Sequence, residues 1–207
     1  MSKKIILFSV AVIMTGSLLL CGCYRSETKM KVNKKAKVKT TESIMASSAY
    51  YEADSDEEIT ADDIYKNLKK EIKDSYKKSK KTLKFKKIKK TVNDEKYYGY
   101  KVTGIKSSDL KYLKSYKKKG RIYVVLDLKK MGNSSSGSED AEDVDLKSLV
   151  PMLQASGMSE KFKITFPKKP KTTYGKVKGK TVTIDMMKAI AKYNGKKNKK
   201  IKMSCKA

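Results

Sequence analysis

The chain has 207 residues, 39% of them hydrophobic, which suits one domain with a modest core, and it carries a formal net charge of +28. It contains no histidine, so a His-dependent catalytic triad and a His-ligated zinc are excluded. All but two of its 50 basic residues are lysine, the exceptions being Arg25 and Arg121.

Lys3 and Lys4 precede an apolar run from Ile5 to Leu20, shorter than the roughly 20 residues that a spanning helix needs. A basic start, an apolar centre and small residues read as an export signal peptide. Leu20-Cys21-Gly22-Cys23 then resembles a bacterial lipobox. Small Gly22 lets the peptidase close on the backbone before Cys23, whereas bulky Leu20 stands before Cys21. The expectation is a signal peptide over 1–22, a cut between Gly22 and Cys23, and an acylated N-terminus with a short tether over 23–28. A diacylglyceryl thioether on Cys23, palmitate-like in its chains, would hold the protein to the membrane. Each buried CH₂ contributes about 0.8 kcal/mol, and two chains anchor stably where one is marginal. The competing readings are an uncleaved anchor helix and a cut elsewhere. The C-x-C spacing does not match the C-x-x-C of redox pairs. Cys205 is then the remaining free thiol, expected as a small apolar residue on the last strand beside Ile201 and Met203.

Residues 29–207 are expected to form a single α+β extracytoplasmic domain. Met30, Val32, Ala36 and Val38 alternate around a turn near Asn33-Lys34-Lys35 and predict two strands. Thr60 and Asp63 form a capping-box pair, and Ile64, Leu68, Ile72 and Tyr76 form an apolar stripe, predicting a helix that ends with Lys77 and Lys78. A hairpin follows, with Leu83 and Phe85 on one arm, Asn93-Asp94-Glu95 at the turn, and Tyr98, Tyr100 and Val102 on the return. Ser108 is expected to cap a short helix bearing Leu110 and Leu113. Arg121 to Met131 reads as a central strand. The Ser/Gly-rich acidic segment over 132–143 is expected to be a flexible loop, and its spacing does not fit an EF-hand. A helix with Leu146, Leu149, Val150 and Leu153 inward follows, interrupted by Pro151.

Phe162, Ile164 and Phe166 alternate up to Pro167, and Gly175 and Gly179 punctuate a hairpin that returns through Val182 and Ile184. The strand end Thr165-Phe166-Pro167, with Gly175, Val177, Gly179, Thr181, Val182 and Thr183 after it, resembles the LppM-type domain of bacterial lipoproteins. That resemblance implies an antiparallel sheet closing behind an acylated N-terminus, in an envelope lipoprotein that touches lipid or glycolipid. It carries over no catalytic residues. The expected fold class is thus α+β, an antiparallel β-sheet of six to eight strands packed with two or three helices.

The lysines from Lys77 to Lys90 interleave with aromatics. Lys77, Lys78, Lys80, Lys81, Lys84, Lys86, Lys87, Lys89 and Lys90 are the candidates for contact with polyanions. Codon bias of an AT-rich, low-GC Gram-positive genome is the duller source of so many lysines. Lysine is a point charge without arginine's planar fork, which favours non-specific attraction. Anionic lipids and wall polymers are the expected partners; nucleic acid suits an exported location least. No P-loop or dinucleotide motif occurs, and neither a cofactor nor a metal is expected. The expected function is a non-enzymatic binding or scaffold module, lipid-anchored at the outer face of the cell membrane. The alternative is a lipid or glycolipid carrier with an apolar pocket.

Overall fold

Strict alternation of inward and outward residues sets the first hairpin. The computed structural model describes residues 24–52, 59–132, 146–155, 157–194, 196 and 199–207. Strand β1 (Tyr24–Val32) turns Tyr24, Ser26, Thr28, Met30 and Val32 inward. Strand β2 (Val38–Ala46) pairs with it antiparallel, Ser26 opposite Ile44 and Thr28 opposite Glu42. Asn33 holds the turn, its Oδ1 accepting from the N–H groups of Lys35 and Lys37, both at 2.9 Å. The tether expected over 23–28 is corrected here: strand begins at Tyr24, because Tyr24, Ser26 and Thr28 are already buried on the core face. Gly22, Cys23 and the rest of the stretch expected to be a signal peptide lie outside the described residues.

The short helix α1 (Ala49–Glu52) leads towards α2 (Ala61–Ser75). The capping box forms as expected. Thr60 Oγ1 accepts from the Asp63 N–H at 3.3 Å, and Asp63 Oδ2 accepts from the Thr60 N–H at 3.2 Å. Ile64, Leu68 and Ile72 are buried. The helix stops at Tyr76, so Lys77 and Lys78 fall in a 3₁₀ turn over Lys77–Ser79. Strands β3 (Lys84–Val92) and β4 (Glu95–Ile105) are joined by Asn93 and Asp94, with φ of 51° and 63°. Two left-handed residues give the turn twist that matches a two-residue hairpin, and Asn and Asp tolerate that conformation.

Two expectations are corrected in the next segment. The helix capped by Ser108 is only a 3₁₀ turn over Ser107–Asp109, and Leu113 opens strand β5 (Leu113–Lys118). There Tyr116 stacks on Tyr123 at 5.1 Å, across the ladder to β6 (Arg121–Asp127). The strand expected to reach Met131 ends at Asp127, and helix α3 (Leu128–Gly132) follows. The period-2 burial of Ile122, Val124 and Leu126 gives way to the helical spacing of Leu128 and Met131. The acidic residues of the expected loop lie outside the described residues.

Helix α4 (Leu146–Ala155) runs through Pro151 undivided. Its Val150 and Leu153 bury against Met187 and Ala191; the side chains of Leu146 and Leu149 are not among those described. Strands β7 (Ser159–Thr165), β8 (Lys171–Thr172), β9 (Lys176–Lys178) and β10 (Thr181–Asp185) follow. Helix α5 (Met186–Tyr193) has no counterpart in the sequence reading. Asp185 caps it, accepting from the Lys188 N–H at 3.1 Å. Strand β11 (Lys200–Lys206) closes the chain with Ile201, Met203 and Cys205 buried, as expected.

The class is α+β, with α2, α4 and α5 the longer helices described. The strands divide between two sheets, ordered β3-β4-β2-β1-β7-β10-β9 and β5-β6-β11-β8. The large sheet is not wholly antiparallel, because β1 and β7 run parallel. Two parallel strands need a return of the chain between them, and antiparallel β2 makes it: β2 ends opposite Tyr24, and β7 begins opposite Arg25. One core joins the parts. Met30, Ile44, Val102, Phe162 and Ile164 on the large sheet meet the stripe of α2 and Met186 of α5. They also meet Ile122, Val124, Leu126 and Met203 of the small sheet. One face of the large sheet is thus covered. Its other face is largely polar, although Tyr97 is buried on it and Met45 and Ile88 are half-buried there.

Candidate polyanion-binding surface

That second face is set by the pleat. Because successive side chains alternate, the residues between the buried ones on β1 point away from the core. They are Arg25, Glu27, Lys29 and Lys31. Register carries the same face across the sheet, to Lys39 and Ser43 of β2, Lys101 of β4, and Lys84, Lys86 and Lys90 of β3. On the other side it reaches Lys161 and Lys163 of β7 and, beyond β10, Lys176 and Lys178 of β9. Most of these lysines are exposed.

Like charges meet directly across the ladder. Lys31 stands opposite Lys39, Lys86 opposite Lys101, and Lys29 opposite Lys163. Such pairs are destabilising by themselves. Glu27 relieves one of them, with Lys163 Nζ at 2.5 Å and Lys29 Nζ at 2.9 Å. Burial pushes the Glu27 carboxyl up, but the hydrogen bonds from Lys163 and Lys29 outweigh it and hold the group below the usual range. Lys31, Lys39, Lys86 and Lys101 make no ion pair among the described residues. The further acids of this face stand at its rim. Glu95 is beside the hairpin turn, and Asp185 is engaged as the α5 cap and by Gln154 Nε2 at 2.8 Å.

At the Tyr24 end of the face lies an open depression of about 300 Å³. Arg25, Lys90 and Lys161 line it together with Ser43, Ser159 and Met45. Arg25 is fixed there, donating from Nη1 to the Gly157 carbonyl at 2.5 Å and lying 5.5 Å from the centre of the Tyr97 ring.

The lysine run singled out in the sequence does not form one patch. Lys84, Lys86 and Lys90 share the outer face. Lys87 and Lys89 lie opposite Tyr100 and Tyr98 on the core side, where their ammonium groups sit 4.2 Å from the Tyr65 ring centre and 5.2 Å from that of Tyr98. Lys87 also meets Asp62 at 3.3 Å. Lys77, Lys78, Lys80 and Lys81 occupy the turn from α2 to β3. That turn is tied down by Asp109, whose Oδ1 accepts from the Lys78 N–H at 3.1 Å and whose Oδ2 accepts from Ser79 Oγ. The outer-face lysines on β1, β2, β4, β7 and β9 escaped the sequence reading. Alternation within each strand was the available signal, but the order of the strands was not.

A second polar group sits inside the core. Glu42 is buried, accepting hydrogen bonds from Tyr76 and, at 3.3 Å, from Thr28 Oγ1. Burial pushes its carboxyl up to about 7, against the pull of those two donors. Tyr24, Tyr76 and Tyr112 around it are raised too, burial being the largest cause for each. The side chains of this cluster are buried. Among the described residues, no three His, Cys, Asp or Glu side chains gather as metal ligands. No described helix is long and apolar enough to cross a membrane.

No curated protein sequence matches the chain. Among solved structures, the chain is similar to the NMR structure of the folded domain of Mycobacterium tuberculosis LppM. The TM-score is 0.37 at 8% identity, covering 89% of this chain and 90% of that one. The family model described as the LppM domain matches residues 25–192, from the second residue of β1 into α5. The chain belongs to the LppM domain family.

Proposed function

We propose that this LppM-domain protein is a lipid-anchored, non-enzymatic binding or scaffold module on the outer side of the cell membrane, and that its lysine-bearing sheet face holds polyanions. The observation that carries the reading is the set of like-charged pairs, Lys31–Lys39 and Lys86–Lys101, placed side by side without described counter-charges. A face that bears this cost gains most when an anionic partner supplies the missing charge. The hollow on that face gathers Arg25, Lys90 and Lys161 beside Glu27, Met45 and Ile88, which supports a partner that carries negative charge. The absence of histidine from the whole sequence supports a non-enzymatic role. Cys23 immediately precedes β1, so acylation there would hold the Tyr24 end of the large sheet at the membrane.

Two measurements test the reading. Intact-mass analysis of the protein from bacterial membranes should show a diacylglyceryl group on Cys23, and a Cys23→Ala chain should lose it. Binding to a soluble polyphosphate should weaken steeply from 50 to 500 mM salt, because exposed charges are screened beyond about 8–10 Å at physiological ionic strength. Binding that ignores salt, or none at all, would remove the polyanion role.

A further inference from the structure

We infer that the open face of the large sheet lies flat on the anionic head groups of the bilayer that holds the chain. The inference rests on the anchored reading of Cys23 and extends it from a tether to an orientation. It commits the basic face to a bilayer rather than to a free linear polymer.

The first observation is that the cations spread in two dimensions. A linear polyanion is matched by a row or a groove of charge. Here cations occupy the central strands β4, β2, β1 and β7 side by side, at Lys101, Lys39, Lys29, Lys31, Lys161 and Lys163. They also extend along the strands, from Arg25 to Lys31 on β1. A two-dimensional array of charge matches a surface of head groups. Sheet twist lifts the flanking strands from that plane, and the long stems of Lys86 and Lys176 can reach back towards it.

The second observation is the length of the tether. Tyr24 is already in strand and buried, so no slack separates the acylated position from the domain. Orientation then decides which lysines reach lipid. Nine residues of β1 span roughly 26 Å at about 3.3 Å each. If the strands stood upright on the bilayer, Lys31 and Lys39 would lie well beyond the roughly 8–10 Å over which exposed charges act. Lying flat brings the outer-face cations of the central strands, Lys31 and Lys39 among them, within that distance. The opposite side of the sheet carries α2 and the core, and Glu42 and the buried tyrosines there have nothing to offer a head group. The turn lysines Lys77, Lys78, Lys80 and Lys81 follow α2 and would remain in solvent.

Lysine reactivity mapped by mass spectrometry tests this on the full lipidated protein, reconstituted in vesicles and treated with an amine-acetylating reagent. Pure phosphatidylcholine vesicles are compared with vesicles that also contain phosphatidylglycerol. The anionic lipid should slow acetylation of Lys31, Lys39, Lys101 and Lys161 about fivefold each, the equivalent of one lysine held near an anionic surface. Lys77, Lys78, Lys80 and Lys81 should react alike in both. Equal slowing of the two groups, or of neither, overturns the inference. Protection of the face by soluble polyphosphate but not by phosphatidylglycerol overturns it in favour of a linear polymer.

Flotation with phosphatidylcholine vesicles reports the anchor alone, because that lipid has no net charge. If the Cys23→Ala chain floats as well as the wild type, the anchored reading fails on a separate axis. The Cys23→Ala chain also permits a binding measurement free of acyl chains. Lys39→Gln with Lys101→Gln should weaken its partition onto phosphatidylglycerol vesicles about 25-fold, and Lys77→Gln with Lys80→Gln less than about twofold. Equal losses from both double variants would refute the orientation.

Discussion

Replacing Glu42 with glutamine tests the physical account of the core most directly. The folded protein holds this carboxyl near pKa 7, whereas the ordinary value is 4.5. Between those values the native state keeps a proton that the unfolded chain has released. The stability that this proton represents is complete below about pH 4.5 and is lost as pH rises through 7. A shift of this size corresponds to on the order of 3 kcal/mol. Glutamine has the shape of the neutral acid. Its carbonyl oxygen can accept from Tyr76, and its amide can donate towards Thr28. Thermal unfolding followed by circular dichroism at pH 5 and pH 8 should therefore show the wild type losing about 5–10 °C more than Glu42→Gln, at roughly 2–4 °C per kcal/mol for a chain of this size. The variant should be the more stable protein at pH 8. Glu71 is raised to about 7 as well, chiefly by burial and against a hydrogen bond from Tyr51. Glu71→Gln is therefore measured in parallel, so that its part of the slope is assigned separately. Identical pH slopes for wild type and Glu42→Gln would refute the reasoning.

Gly99→Ala should destabilise the fold by more than about 3 kcal/mol, read from urea denaturation, because a Cβ there would stand 1.9 Å from the Ile44 carbonyl oxygen. Thr60→Ala should cost about 1 kcal/mol in the same assay, since it removes the oxygen that caps α2. Glu27→Gln leaves Lys29 and Lys163 side by side without their shared carboxylate. The variant should lose stability at pH 7 and differ little from wild type at pH values below the depressed Glu27 pKa, where that carboxyl is protonated. It should also bind anionic vesicles more tightly, as seen by sedimentation. Cys205 is buried on β11, so a thiol reagent should label it only as fast as the domain opens, with added urea raising the rate.

Local order was readable without the fold. The α2 cap and stripe need only residues three and four apart, and Asn93-Asp94 declares its hairpin through conformations those residues tolerate. Cys205 was readable from its alternation with Met203. Errors arose where two periods compete over a short span. Leu110 and Leu113 are spaced as on a helix, yet Leu113 opens a strand because β6 offers it a ladder. Asp185 followed by Met186, Met187 and Ala189 carries a helix signal, but the helix continues a strand without a break, so no turn residue marks its start. The parallel pairing of β1 with β7 had no local signature at all.

The candidate surface divides along the same line. By itself the sequence determined how much positive charge the protein bears, that lysine supplies nearly all of it, that histidine chemistry is absent, and which residues alternate within each strand. Those properties belong to single residues and near neighbours. Only the tertiary structure decided which lysines act together. The pleat sent Lys87 and Lys89 to the tyrosines of the core side and Lys86 and Lys90 to the open face, although the four are almost contiguous in the chain. The strand order then brought Lys31, Lys101 and Lys161 onto that face from distant parts of the chain. Charge interactions follow distance in space, and in a sheet that distance is set by hydrogen-bonded neighbours contributed by remote segments.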